Sequence, residues 1–372
     1  MKFVIERATL LKSLAHVQSV VERRTTIPIL GNVKLTTKDG GVSLNATDMD
    51  LDIAETVPAD VAVEGSTTAP AHTFYEIVRK LPDGAQVELA ADPDAGELVL
   101  SAGRSRFTLS TLPAGDFPVM TGGEMPVHFE LAGGELRTLI DRTRFAISTE
   151  ETRYYLNGIF LHTTTPDTTA VLRAVATDGH RLAQVEVPAP EGAEGLEGVI
   201  IPRKTVNELR KLIDELDEPV TVDLSETKVR FAFQDAVLTS KLIDGTFPEY
   251  QRVIPDNNDK ALKVDRKALA SAVDRVSAIS SDKSRAIKLA MEPGSLTLSA
   301  SSPEQGSASE SLEAEFEGQG LEIGFNTKYL LEILQQVDGD NARFDLADAG
   351  APTIVRDAAD MGALYVLMPM RV

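Results

Sequence analysis

TTAPAHTFYEIVRKLPDGAQVELAAD (67–92) decides the fold, because the chain writes this segment three times. It returns as GVIIPRKTVNELRKLIDELDEPVTVDLSE (198–226) and as LEIGFNTKYLLEILQQVDGDNARFDLAD (321–348). Each copy has an apolar or small lead-in, a polar break, a helix with apolar spacing, an acidic turn and an alternating strand. The helix stripes agree: Phe74, Ile77, Val78 and Leu81; Val206, Leu209, Leu212 and Ile213; Leu330, Leu331, Leu334 and Val337. Spacings of three and four put these side chains on one buried helix face. Repetition without an evident reaction centre builds a shape, such as a ring, solenoid or array.

A second repeated element gives the same register. FVIERATLLKSLAHVQSVV (3–21), VHFELAGGELRTLIDRTRFAIS (127–148) and LKVDRKALASAVDRVSAIS (262–280) each run from a short strand into an amphipathic helix. Leu10, Leu14 and Val17 match Leu136, Ile140 and Thr143, then Leu269, Val273 and Val276. The exits repeat too. RSRFTLSTLPAGDFP (104–118) parallels DAVLTSKLIDGTFPEY (235–250), and the third copy ends on Ala363-Leu364-Tyr365-Val366-Leu367-Met368-Pro369. A third of 372 residues is 124, an ordinary domain size. Two helices and roughly six to eight strands per copy predict an α+β fold of three domains, 1–122, 123–255 and 256–372. The junctions VMTGGEMP (119–126) and IPDNNDK (254–260) are rich in breakers. PAPEGAEGLEG (188–198) reads as a long loop and SASSPEQGSASES (299–311) as a surface turn.

Composition narrows the function. At 42% hydrophobic residues the chain is globular. It has no Cys, which excludes disulfides and thiolate metal sites. The start, MKFVIERATLLK, lacks a signal-peptide core, and no run approaches the length of a membrane span. A cytoplasmic protein with no membrane partner is expected. The net charge of −20 argues against a nucleic-acid partner, and every third of the chain is acidic. Bases nevertheless recur at helix ends: Arg23-Arg24, Arg79-Lys80, Arg142 with Arg144, Arg203-Lys204, Arg210-Lys211, Arg266-Lys267, and Lys283 with Arg285. An acidic exterior with a basic helical layer tolerates DNA along one path only.

No catalytic centre emerges, and no cofactor is expected. The five histidines have no metal-ligand spacing, and no phosphate loop or nucleophile elbow occurs. Asp178 and His180 suit general acid–base work, but Asp-Gly between strands 171–177 and 181–187 is a hairpin signal. Asp48, Asp50 and Asp52 suggest a metal site, but they alternate with Met49, Leu51 and Ile53 as in a half-exposed strand. Tyr154-Tyr155 reads equally as a base-stacking pair and as a strand with one ring in and one out.

Several stretches then become specific together: Pro28-Ile29-Leu30-Gly31-Asn32, Ser105-Arg106-Phe107, Ser110-Thr111-Leu112-Pro113, Arg153-Tyr154-Tyr155-Leu156-Asn157-Gly158, Ala176-Thr177-Asp178-Gly179-His180-Arg181-Leu182, Pro202-Arg203-Lys204, Thr239-Ser240-Lys241-Leu242 and Met368-Pro369-Met370-Arg371-Val372. In these, over its whole length, the chain resembles the bacterial sliding clamps, the β subunits of DNA polymerase III. The resemblance implies a non-enzymatic, head-to-tail ring homodimer, with helices lining the bore and sheets outside. About a dozen helices of about 10 Å width enclose a bore of about 28 Å, room for duplex DNA and water. Sliding needs a loose fit, and phosphate contacts carry no sequence information.

The resemblance also implies site residues. Arg24, Tyr154, Tyr155, Arg203 and Lys204 fall at DNA contacts, although Glu150 and Glu151 should repel phosphate in the loop before Arg153. A peptide-binding pocket between the second and third domains takes its walls from Leu156, Thr177, Gly179, His180, Arg181, Leu182, Pro248, Arg252, Val253, Val366, Leu367, Met368, Pro369 and Met370. Flexible Met walls suit motifs from several partners, each a Gln followed by Leu and an aromatic. Arg181, Arg252 and Arg371 stand ready for polar ends of such a peptide. The implied partners are the polymerase α subunit, a clamp loader that opens the ring, and other proteins bearing the motif. The ring joint sets Arg104, Arg106, Phe107 and Leu109 against Ala278, Ile279, Glu304 and Glu310. Gly306, Ser307 and Ser309 stand where a denser acidic row is common, so a more easily dissociated dimer is expected. The competing readings are a peptide-binding scaffold that never holds DNA and a hydrolase built on Asp178 and His180.

Overall fold

The computed structural model describes every residue except 93, 121, 122, 167, 215, 217, 281–284 and 372. Lys283, Val372 and part of the 119–126 junction therefore lie outside the described residues. Among the described residues six α-helices form: α1 (Arg7–Gln18), α2 (Ala71–Lys80), α3 (Gly133–Asp141), α4 (Arg203–Leu212), α5 (Arg266–Ser277) and α6 (Thr327–Leu334). Each begins directly where a strand ends: Lys2–Glu6, Gly65–Pro70, Val127–Ala132, Val199–Pro202, Lys260–Asp265 and Leu321–Asn326.

The last strand residue often supplies the cap. The Glu6 carboxylate accepts from the Thr9 N–H (3.1 Å), Asp265 from Ala268 (2.7 Å), and the Asn326 carbonyl from Lys328 (3.0 Å). These acceptors satisfy N–H groups that a helix start leaves without partners. The first helical N–H is also spoken for. Arg7 donates to the Ala85 carbonyl (2.9 Å) and Arg266 to Asp340 (2.8 Å); Arg203 donates to Asn157 (2.9 Å) and Thr327 to Arg285 (2.9 Å). All four acceptors immediately precede a strand, so the repeat extends to individual hydrogen bonds.

The chain divides into two compact units. The first comprises 1–137, 190–193 and 204–242; the second comprises 138–189, 194–203 and 243–372. The first unit holds an antiparallel sheet of five strands, ordered Asp60–Val63, Lys2–Glu6, Gln86–Asp92, Glu97–Ala102, Ser105–Ser110. Its second sheet has eight strands, ordered Val127–Ala132, Pro219–Leu224, Lys228–Phe233, Ala236–Lys241, Leu51–Pro58, Gly41–Thr47, Asn32–Lys38, Gly65–Pro70. α1 packs on α2 and on the strands Gly41–Thr47 and Leu51–Pro58.

The second unit holds nine strands, ordered Val199–Pro202, Gly158–Thr164, Val171–Thr177, Arg181–Pro188, Ala363–Leu367, Thr353–Asp357, Asn341–Leu346, Lys260–Asp265, Glu315–Glu317. Its other sheet has four: Gly306–Glu313, Ser295–Ser302, Ala286–Glu292, Leu321–Asn326. α5 packs on α6 and on the hairpin Ser295–Glu313. Both large sheets cross from one sequence copy to the next. The seams are Leu51–Pro58 against Ala236–Lys241 and Arg181–Pro188 against Ala363–Leu367.

The helix stripes are buried as read, with edges shifted. Ile77, Leu212 and Leu331 are only half-buried, while Ile333, outside the predicted stripe, is fully buried. Thr143 occupies an apolar position with no exposure because its hydroxyl donates to the Leu139 carbonyl.

Several expectations are corrected. The copies carry nine, eight and nine strands among the described residues, because short edge strands such as Asp60–Val63 and Glu315–Glu317 escape periodicity. The Ser-rich 299–311 is a hairpin, Ser295–Ser302 with Gly306–Glu313, whose serines pair across the strands (Ser299 with Ser309, Ser301 with Ser307). Tyr154 and Tyr155 lie in a 3-10 helix, Glu151–Leu156, instead of a strand. Asp48-Met49-Asp50 is a turn before the strand Leu51–Pro58, whereas 178–180 is the expected hairpin loop between Val171–Thr177 and Arg181–Pro188.

Those last two turns are one motif. Thr47 and Thr177 donate their hydroxyls to the carbonyls four residues on (2.9 and 2.7 Å). The same oxygens accept from the N–H groups of Met49 (3.0 Å) and Gly179 (3.1 Å). Asp48 and Asp178 each accept two backbone N–H groups, from Asp50 and Leu51 and from His180 and Arg181. Met49 and Gly179 both take positive φ, 77° and 87°. Ser302, accepting from the Glu304 N–H (3.4 Å), opens the matching turn of the third copy.

Asp52 on the first seam strand gives a stability test. Burial lifts its carboxyl to about 6, against a hydrogen bond from Asn45 (3.2 Å). The folded value exceeds the unfolded one, so stability is lost as pH rises from about 4 through 6. Asp52→Asn should raise the melting temperature at pH 7.5, by about 1–3 kcal/mol in stability, and give no gain at pH 4. Thermal melts of the two proteins check this; no gain at pH 7.5 contradicts it.

Candidate functional site

The second unit gathers the expected peptide-site residues around the second turn. Arg181 anchors that turn. Its Nε donates to Asp178 (3.2 Å), its Nη2 to the Phe145 carbonyl (2.6 Å), and its Nη1 to Glu332 on α6. Its guanidinium also lies over Tyr329 (4.4 Å to the ring centre) and Phe145 (5.0 Å). The side chain is 6% exposed. Arg181 is thus a structural clamp on the hairpin and not a free receptor for a peptide. Gly179 suits the turn because its φ of 87° lies in the left-handed region that favours glycine.

Beside the turn, Leu156, Leu182 and Val366 join Val175, Ile200, Phe247, Tyr250, Ile354 and Leu364 in one buried apolar cluster. Leu367 is wholly buried, and Thr177 nearly so. These residues make a floor. His180, Pro248, Arg252, Val253 and Met368 are exposed above it, with Pro369 and Met370 half-buried and Arg371 exposed. Val253 and Met368 are among the few large apolar side chains left open, at 48% and 38% exposure. Backbone bonds fix the rim: the Met368 N–H donates to the His180 carbonyl (3.0 Å) and the Met370 N–H to Gly324 (2.7 Å). His180 stacks on Tyr329, 6.0 Å between ring centres. A buried apolar floor under flexible, exposed apolar rims suits a short hydrophobic peptide.

The hydrolase reading fails on geometry. The Asp178 carboxylate serves the turn backbone and Arg181. In the first unit, a cavity of about 390 Å³ is lined in part by Ser13, His16 and Glu55. No sequence signal pointed to it. Glu55 binds both His16 Nδ1 (2.8 Å) and the Ser13 hydroxyl (2.9 Å). Ser13 therefore faces the acid and not the imidazole, so no nucleophile–base pair exists there. Among the described residues no group of three or more acidic or His side chains could hold a metal.

Three family models match in tandem. The N-terminal domain of the DNA polymerase III β subunit covers residues 1–121, its central domain 130–249 and its C-terminal domain 251–371. The chain belongs to the bacterial β sliding clamp family. The β sliding clamp of Caulobacter vibrioides is 55% identical over all 372 residues of both chains, and that of Escherichia coli 40%. A Bartonella birtlesii clamp structure bound to griselimycin has a TM-score of 0.97 at 50% identity, with both chains fully covered. A C. crescentus clamp structure, with polyethylene glycol at a putative β-motif tethering region, has a TM-score of 0.96 at 55% identity, covering 100% of this chain and 99% of that one. Sliding clamps are processivity factors that encircle DNA and tether its polymerase; they are not enzymes.

The expected DNA contacts of this clamp have unequal surroundings. Arg24 and Arg203 are exposed. Lys204 is already occupied: it pairs with Asp48 and Glu22 (3.6 Å) and donates to the Val20 carbonyl (3.2 Å). Tyr154 is 53% exposed and meets half-buried Tyr155 edge-on at 5.7 Å, so one ring is in and one is out. Glu150 is neutralised by a two-pronged pair with Arg153 (2.8 and 2.5 Å), which holds its carboxyl below the usual range. Of the two carboxylates expected to repel phosphate, Glu150 is thus compensated within the loop.

The expected joint residues lie on or beside two sheet edges, except Ala278 and Ile279, which follow α5. Ser105–Ser110 ends the five-stranded sheet, with Arg106 and Phe107 exposed and Leu109 buried. Arg104 is exposed just before it. Gly306–Glu313 ends the four-stranded sheet. Glu310 there is held by Arg275 of α5 (3.0 and 2.5 Å); Glu304 and Ala278 are exposed and Ile279 half-buried.

Arg181→Ala should strip two acids of their buried partner and cost about 3–5 kcal/mol. Chemical denaturation checks the loss; a cost under 1 kcal/mol contradicts the clamp role.

Proposed function

We propose that two copies of this chain close head to tail into a ring around duplex DNA, each copy offering one peptide-docking surface. One observation carries the ring. In the first seam the strand after a Thr-Asp turn, Leu51–Pro58, pairs with the exit strand of the next copy, Ala236–Lys241. In the second, Arg181–Pro188 pairs with Ala363–Leu367 in the same way. The third such strand, Gly306–Glu313, and the remaining exit strand, Ser105–Ser110, are both unpaired edges. Exposed edges seek partners, and a second copy supplies the missing one as a heterologous interface that closes.

The repeat also supplies a register. Leu238 opposes Ile53 and Ala236 opposes Glu55 in the first seam. Transferred onto the edges, this sets Thr108 opposite Ala308 and Arg106 opposite Glu310 of the other chain. The three domains are 1–122, 123–255 and 256–372. Arg24, Tyr154, Tyr155 and Arg203 meet the DNA backbone, with Lys204 shared between DNA and Asp48. Polymerase α subunit, clamp loader and other motif-bearing proteins dock at Val253, Met368 and Met370 over the Leu156, Leu182 and Val366 floor. The cytoplasm, where the replicative polymerase works, is the compartment.

The chain has no Cys, so the register is open to crosslinking. Oxidised Thr108→Cys/Ala308→Cys should trap a covalent dimer, whereas Thr108→Cys/Glu310→Cys, two residues out of register, should not. The reverse outcome overturns the interface. Sedimentation in rising salt should also dissociate the wild-type dimer, since its acidic row is thinned by Gly306, Ser307 and Ser309; a nanomolar dimer indifferent to salt contradicts that.

A further inference from the structure

Beneath the segment that carries Pro248, Arg252 and Val253 runs a buried chain of polar groups. His162, 7% exposed, sits on the strand Gly158–Thr164. Its Nδ1 lies 3.2 Å from the Thr163 carbonyl, which can only accept, so Nδ1 carries the proton. Nε2 is then the acceptor, and it takes the Tyr250 hydroxyl at 2.9 Å. The Tyr250 oxygen accepts in turn from Arg173 Nη1 (2.9 Å), whose Nε donates to Glu186 (2.7 Å). Each donor direction is thereby fixed.

The chain bears directly on the docking surface. Tyr250 opens the 3-10 turn Tyr250–Val253 and belongs to the same buried cluster as Leu156, Leu182 and Val366. Phe160 stacks between His162 (4.8 Å) and Phe247 (4.8 Å, rings 4° apart), which ties the other end of the segment to the same strand. We propose that His162 and Tyr250 are positioning residues of the peptide site. The neutral imidazole holds the Tyr250 hydroxyl, and with it the turn bearing Arg252 and Val253, so peptide affinity requires unprotonated His162. This rests on the docking surface proposed above.

Burial holds the His162 imidazole below its usual pKa; the Thr163 carbonyl and Glu186 oppose that shift and Arg173 adds to it. Arg173 faces it from the strand Val171–Thr177, Glu186 from Arg181–Pro188, and Tyr250 from the turn. Gly198 passes close to the Phe160 ring that stacks on His162; a Cβ there would stand 2.4 Å from that ring. The folded value lies below the unfolded one, so the network stays intact through the ordinary histidine range and is lost as pH falls below it.

The test is the anisotropy of a labelled peptide bearing Gln, Leu and an aromatic, titrated with the full-length protein. Wild type should lose affinity between pH 7.5 and 5.5. His162→Gln, whose carboxamide oxygen still accepts from Tyr250, should bind like wild type at pH 7.5 and lose less at 5.5. Tyr250→Phe should weaken binding roughly 5- to 20-fold at pH 7.5. The other four histidines are common to wild type and His162→Gln, so the difference between them isolates His162. A His162→Gln profile that tracks wild type, or unchanged Tyr250→Phe affinity, overturns the proposal. Met368→Glu separates the layers: if it leaves affinity intact, the docking surface itself is wrong; if it abolishes binding, any failure belongs to the network. Amide exchange at 250–253 in wild type needs no variant. It should quicken from pH 7.5 to 5.5 beyond the intrinsic rate change, and unchanged protection also overturns the proposal.

Discussion

The antiparallel seam between one copy's hairpin strand and the next copy's exit strand is the pairing on which the rest depends. Within each unit it carries one large sheet from one sequence copy into the next. Two seams form within one chain and the third is left as two bare edges. An unpaired strand edge is an association surface by default. The oligomer thus follows from the repeat, before any side chain at the joint is considered. Topology can then hold DNA that an acidic surface would not bind by affinity.

The same Thr-Asp turn opens both seams within the chain, yet its surroundings set different tasks. At the first seam Lys204 pairs with Asp48 and Lys241 with Asp50. Those ions fill the surface next to the turn. At the second, Met368 follows the exit strand where Lys241 ends the first, and the turn's own Arg181 is drawn inward between Phe145 and Tyr329. An apolar floor is left open beside a rigid hairpin. One junction is sealed by charge and the other offers apolar surface, although the backbone device is shared.

Much of this was legible in the sequence because helix stripes and exits recur at matched positions. Six helices, their buried faces and the domain count need only periodicity. The interactions that assign roles to residues are long-range and left no local trace. Arg181 reads as an exposed hairpin arginine until Glu332, far along the chain, closes on it. Glu310 and Lys204 read as free charges until Arg275 and Asp48 are placed beside them. His162 and Tyr250 carry no spacing signal; only strand pairing brings them together. The Thr47 and Thr177 turns were in principle readable, since Ala-Thr-Asp occurs at both 46–48 and 176–178. Strand-like alternation around Asp48 masked the first.

The central claim is that this protein is held on DNA by closure and not by contact energy. The direct measurement is loader-dependent retention on nicked circular DNA in high salt, followed by linearisation of the circle. The account predicts retention on the circle and release once free ends exist. Binding that survives linearisation unchanged would contradict it.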